Sequence, residues 1–217
     1  MTHRQHKHGL RFVLLALLIV GNLGWVRAAD TLTTPPDSLN GLRPGKLTLG
    51  QLEDKYGKSE IEADEGLLGL YGGAKDSHAY GWYLVENPNY VVPDLAVETA
   101  TDSDRVDLVM SIGYDGLKTE KGVACFQSDA DLIKAYGEPD FVFSVQMGDG
   151  ELREFYYIAQ GVSFDVAPIG PNGERLITTI YVTYPEYLKR AVDIRRDLIN
   201  NGTGREITSV YASGVEA

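Results

Sequence analysis

The run Leu52-Glu53-Asp54-Lys55-Tyr56-Gly57-Lys58-Ser59-Glu60 is echoed 80 residues later by Leu132-Ile133-Lys134-Ala135-Tyr136-Gly137-Glu138-Pro139-Asp140. The same spacing pairs Ala79 with Ala159, Gly81 with Gly161 and Pro88 with Pro168. Further on the spacing is 70, with Asp104-Arg105-Val106 against Glu174-Arg175-Leu176. Matches in one order with a single change of spacing indicate an internal repeat, with ten extra residues in the first copy within about 89–103. Such a chain is built from one small supersecondary unit used twice.

Each unit has the same local grammar. Thr48 and Ser128 are N-cap residues, followed three positions on by Gln51 and Asp131, the reciprocal partners of a capping box. Leu49, Leu52 and Tyr56, and then Leu132, Ile133 and Tyr136, recur at helical spacing and predict short helices over 49–56 and 129–136. Gly57 and Gly137 stop them. Strands follow. In the second unit Phe141 to Met147 alternates, and Gly148-Asp149-Gly150 supplies a hairpin turn. Leu152 to Ile158 returns. Gly161 to Val166 and Arg175 to Thr183 complete a four-stranded antiparallel meander. In the first unit Ala79–Val85 and Val106–Ile112 are clear strands. Leu67–Tyr71 is a third, and Tyr90–Val97 lengthens an edge. Pro185 opens a last helix, 186–199, with the stripe Tyr187, Leu188, Ala191, Ile194 and Leu198. The predicted class is α+β: two tandem copies of a short helix followed by an antiparallel β-meander, with a C-terminal helix.

The order of capping residue, short helix, Tyr-Gly-x-Pro and strands, at Ser128 to Asp140 and more weakly at Thr48 to Ser59, resembles a known group. This group contains the β-lactamase inhibitor protein and small outer-membrane lipoproteins of the SmpA/OmlA type. The resemblance covers about residues 45–185. It implies small α+β modules, tandem in the inhibitor, that bind other proteins through a sheet face and loops and are not catalysts. The chain departs from the group in having one cysteine and no lipid-attachment cysteine after its apolar run.

The ends read differently. Arg4, Lys7 and Arg11 precede the nine-residue apolar run Phe12–Val20, and Val26-Arg27-Ala28 has small residues at the −3 and −1 positions. This pattern predicts a signal peptide over 1–28 and an extracytoplasmic product, periplasmic or secreted, with no stable membrane anchor after cleavage; a spanning helix needs roughly 20 apolar residues. Residues 29–44 lack periodicity and predict a flexible leader; 200–217 predict a flexible tail, in which Ile207 to Tyr211 is able to form a short strand. The expected units between them are 45–115 and 116–185. Asn201-Gly202-Thr203 matches a glycosylation sequon, which matters only in a eukaryotic secretory pathway.

Removing residues 1–28 takes away four of 20 basic residues and none of 31 acidic ones, leaving a net charge of −15. Such a chain repels phosphate backbones, so nucleic acid is not an expected partner. Cys125, the single cysteine, sits in Val123-Ala124-Cys125-Phe126 and reads as a small buried hydrophobe. Asp76-Ser77-His78 are neighbours in sequence, which is not a catalytic triad. Asp102-Ser103-Asp104 lacks the remainder of a calcium loop. No catalytic residue, metal site or cofactor is predicted.

The expected function is therefore an exported non-catalytic binding module for a protein or cell-envelope component. A carboxylate-dependent secreted hydrolase and a structural envelope protein are the alternatives. Alternation places Tyr156, Ser163, Asp165, Thr179 and Tyr181 opposite the apolar side of their strands. On that expected open face Tyr156 and Tyr181 are the candidate anchors, with Asp165 and Gln146 for polar specificity.

Overall fold

The structure is a computed structural model that describes residues 32–64, 66, 76–85, 92–147, 150–202 and 207–212. Helix α1 (Leu49–Tyr56) is followed by β1 (Ile61–Ala63), β2 (Ser77–Trp82), β3 (Leu95–Ala100) and β4 (Val106–Ile112). Helix α2 (Asp129–Tyr136) is followed by β5 (Phe141–Met147), β6 (Gly150–Tyr157), β7 (Val162–Ala167) and β8 (Leu176–Thr183). Helix α3 (Pro185–Asn200) and strand β9 (Ile207–Ala212) close the chain. The expected strand at 67–71 lies outside the described residues.

The strands form one antiparallel sheet in the order β1-β2-β3-β4-β8-β7-β6-β5-β9. The two meanders meet edge to edge, β4 against β8, with Leu108 opposite Thr183 and Ile112 opposite Thr179. Of the residues 90–97 expected to lengthen an edge, Leu95–Val97 instead open β3, an inner strand, and 90–91 lie outside the described residues.

Both short helices begin and end as their sequences dictate. Thr48 Oγ1 accepts from the Gln51 amide at 3.3 Å, and Gln51 Oε1 accepts from the Thr48 amide at 2.9 Å. Ser128 and Asp131 make the same reciprocal pair at 3.1 and 3.3 Å. Gly57 (φ 88°, ψ −179°) and Gly137 (φ 83°, ψ −166°) end the helices in a region open only to glycine, more extended than a left-handed cap. Each helix is then sewn to its own meander. The Leu49 amide donates to the Asp104 carbonyl at 2.8 Å, and the Asp129 amide to the Arg175 carbonyl at 3.4 Å. Trp82 Nε1 donates to the Gly57 carbonyl at 2.9 Å, and the Tyr157 hydroxyl to the Gly137 carbonyl at 3.1 Å. Thr48 bridges to Arg105 and Ser128 to Leu176, one residue out of step with the sequence alignment.

The two sides of the sheet are packed by different parts of the chain. The front carries α1, α2 and the loop residues Leu39, Leu42, Leu117, Val123 and Cys125, over Leu95, Val97, Val109, Phe155, Phe164, Ile180 and Val182. The back carries α3, whose Leu188, Ala191 and Val192 pack over Leu108, Met110, Phe143 and Tyr156.

The expectation of a flexible leader is corrected. The leader is built into the fold from residue 32: Leu39 is fully buried, and the buried Asp37 carboxylate accepts from the Ser38 amide at 2.8 Å and the Glu120 amide at 3.0 Å. Lack of periodicity does not make this segment flexible, because polar contacts to residues far along the chain fix it. In the tail, β9 pairs with β5 along Ile207–Ala212.

Candidate functional site

Alternation assigned the faces of Tyr156, Asp165 and Tyr181 correctly, but Gln146 is corrected to the other side of the sheet, the side of Val142 and Phe155, and the back is not open. Tyr156 is 1% exposed, because α3 lies over it. The solvent-facing anchor expected there is therefore corrected: period 2 separates two faces and says nothing of what covers each.

Three of the four sequence candidates do meet. Register places Tyr156, Ser163 and Tyr181 side by side across β6, β7 and β8, with Glu154, Asp165 and Thr179 in the adjoining row. Tyr181 donates to Asp165 Oδ2 at 2.7 Å, and Tyr156 to Glu154 Oε2 at 3.1 Å. Arg195 of α3 grips Glu154 through Nε at 3.0 Å and Nη2 at 2.9 Å. Burial, then the neighbouring Glu154 charge, push the Asp165 carboxyl up to about 7. The Tyr156 and Tyr181 hydroxyls rise well above their ordinary range, mainly through burial. Both carboxylates are engaged with protein groups beneath a helix, which is the geometry of an internal joint. Sequence reasoning missed Glu154 and Arg195. The Arg195-Arg196 pair on an amphipathic helix was the available signal, but it does not say which strand the helix crosses.

Gln146, the fourth candidate, is exposed near the end of β5, away from this network. It belongs to the end of the sheet where β2, β5, β7 and the β4–α2 segment turn. There the register pairs Trp82 with Leu95, Ser111 with Leu95 and Ile180, Ala167 with Leu176, and Gln146 with Glu151. The large hydrophobic residues most exposed among the described ones all belong to this end: Val85 at 41%, Phe126 at 45% and Ile169 at 53%.

Each is held by backbone contacts. Val85 and Leu84 donate to the buried Asp94 carboxylate at 3.1 and 2.7 Å. Phe126 donates to the Ile177 carbonyl at 2.8 Å, and Ile169 to the Ala167 carbonyl at 2.9 Å. Phe126 has φ 66°, a left-handed conformation that costs a bulky L-residue of order 1–2 kcal/mol. Glu151 braces the same end. It accepts from Ser144 at 2.6 Å and from Arg175 of the β7–β8 turn, and these bonds hold its carboxyl down to about 2. The result is a set of apolar side chains shown to solvent from fixed loops.

Cys125 and His78, neither of them expected to be catalytic, have these surroundings. Cys125 is buried against the Thr178 carbonyl at 3.5 Å, and burial pushes its thiol up, away from nucleophile chemistry. His78 Nδ1 lies 3.4 Å from Asp64, an exposed partner. Comparison with family models, with curated proteins and with solved structures finds no match.

Proposed function

We propose that this chain is an exported, non-catalytic binding module, built from two copies of one α+β unit, that docks a protein or cell-envelope partner on the loop end of its sheet. The observation that carries the reading is Phe126: an aromatic ring, 45% exposed, on backbone strained into the left-handed region. Fold stability alone gives no reason to keep it there; glycine would serve better. Ile169 and Val85 extend the apolar character of that end, and Gln146 adds a polar group. Rigid loops on a scaffold limit the ordering entropy that binding costs.

The tandem-copy part rests on the doubled contacts. In both halves the last helical tyrosine packs against the aromatic that donates to the following glycine carbonyl: Tyr56 with Trp82 at 6.4 Å, and Tyr136 with Tyr157 at 5.0 Å. The export part rests on residues 1–28 as a signal peptide. The resemblance to the inhibitor-like group supports binding through loops.

The test is capture from envelope extract with the wild-type chain and with a Phe126→Ala/Ile169→Ala double variant. The reading expects a partner retained by the wild type and lost from a variant whose melting is nearly unchanged. Equal capture by both would remove this surface from consideration.

A further inference from the structure

The joint between α3 and the sheet holds more acid than one guanidinium neutralises. Glu154 and Asp165 are cross-strand partners on the back face, where like charges directly opposite one another repel. Among the described residues, the titratable and charged groups that act on Asp165 or its tyrosine neighbours are Glu154 and Tyr156 from β6, Tyr181 from β8 and Arg195 from α3. Both short contacts of Arg195 described above go to Glu154. Ser163 Oγ, buried between the two tyrosines, has no hydrogen-bond partner among the described residues. A buried interface with two facing carboxylates and an unsatisfied hydroxyl is not tuned for maximum stability.

We propose that α3 is seated on the sheet by a proton-controlled latch, in which the Glu154–Asp165 pair carries one negative charge when the helix is tightly docked and two when the helix loosens. With Asp165 protonated, Arg195 balances Glu154 and the joint is neutral. Loss of the proton leaves an excess anion beside Glu154 under α3. A loosened helix lets water reach the carboxylate, and its proton affinity returns to the ordinary range near 4. The folded-state value is the higher one, so docking is strongest at low pH and weakens as pH rises through about 7. Loosening would uncover Phe143, Tyr156 and Met110, the apolar side chains now beneath or beside the helix. The device couples exposure of an aromatic sheet face to ambient pH.

Hydrogen exchange of the whole chain tests this. Protection factors of the α3 amides, corrected for intrinsic exchange, are compared at about pH 5.5 and 8.5. The wild type is expected to lose about tenfold in protection at the higher pH, while the α1 and α2 amides change little. Asp165→Asn should abolish the difference. Tyr181→Phe removes a hydrogen bond that favours the ionised form, so its transition should move to higher pH. Equal wild-type protection at both values overturns the latch. So does an undiminished pH dependence in Asp165→Asn or, if that variant fails to fold, an unmoved transition in Tyr181→Phe.

Discussion

The Tyr136 hydroxyl, at the end of α2, donates to the carboxylate of Asp37, 99 residues away in the N-terminal segment. Burial first, and then Asp37, push the Tyr136 hydroxyl far above its ordinary range. One bond thereby fastens a non-periodic segment to the second helix, across the front of the sheet. Tyr136→Phe should lower stability by about 1–2 kcal/mol, because a buried carboxylate loses a donor. Limited proteolysis near residue 37 should quicken with it. Unchanged melting and cleavage would show that Leu39, Leu42 and the Glu120 amide hold the segment without this bond.

Phe126 gives a prediction of opposite sign. Glycine adopts φ 66° without penalty and alanine does not. Phe126→Gly should therefore be more stable than Phe126→Ala by about 1 kcal/mol in denaturant unfolding, although glycine normally costs entropy. The reverse order would mean that the backbone relaxes once the ring is gone.

The pH dependence of global stability follows from Asp165. Its carboxyl is raised in the fold to about 7 from an ordinary 3.8. The folded chain thus holds a proton that the unfolded chain releases between these values, and that contribution is full below about pH 4 and lost as pH rises through 7. Asp165→Asn should be more stable than wild type at pH 8, by about 1–3 kcal/mol, with little gain at pH 4. Melting curves at the two values decide it. A variant less stable than wild type at pH 8 would show the ionised carboxylate to be well accommodated.

The capping boxes should act independently. Thr48→Ala and Ser128→Ala are each expected to cost about 1 kcal/mol, and the double variant about their sum, since the helices sit on different meanders and share no cap partner. A coupling beyond about 0.5 kcal/mol would reveal a link between the helices through the front core.

What could be read in advance was whatever neighbouring residues decide. Thr48 with Gln51 and Ser128 with Asp131 carry their own partners within one turn, so both helices fell where expected. The strands around Phe141–Met147 and Val106–Ile112 declared themselves by composition. Cover was not legible. The alternation that set Tyr156 opposite Phe155 was correct, yet nothing in β6 says that Leu188 and Ala191 will lie above it. Asp37 was hidden for a related reason: its partners, Glu120 and Tyr136, lie 83 and 99 residues away. The loop end escaped notice because a single exposed phenylalanine has no periodicity, and its backbone strain exists only in three dimensions.

The seam between β4 and β8 sets the timetable of assembly. A ribosome delivers β4 long before β8, with Leu108 waiting for Thr183 and Val109 for Val182. During that interval the first meander ends in an open edge strand, Val106 to Ile112, apolar at five of its seven residues, the kind of edge that recruits strands from other molecules. Closing the seam also means bringing together segments far apart along the chain, which slows the search. Nascent copies crowded on one message would therefore compete for each other's β4 until β8 arrives.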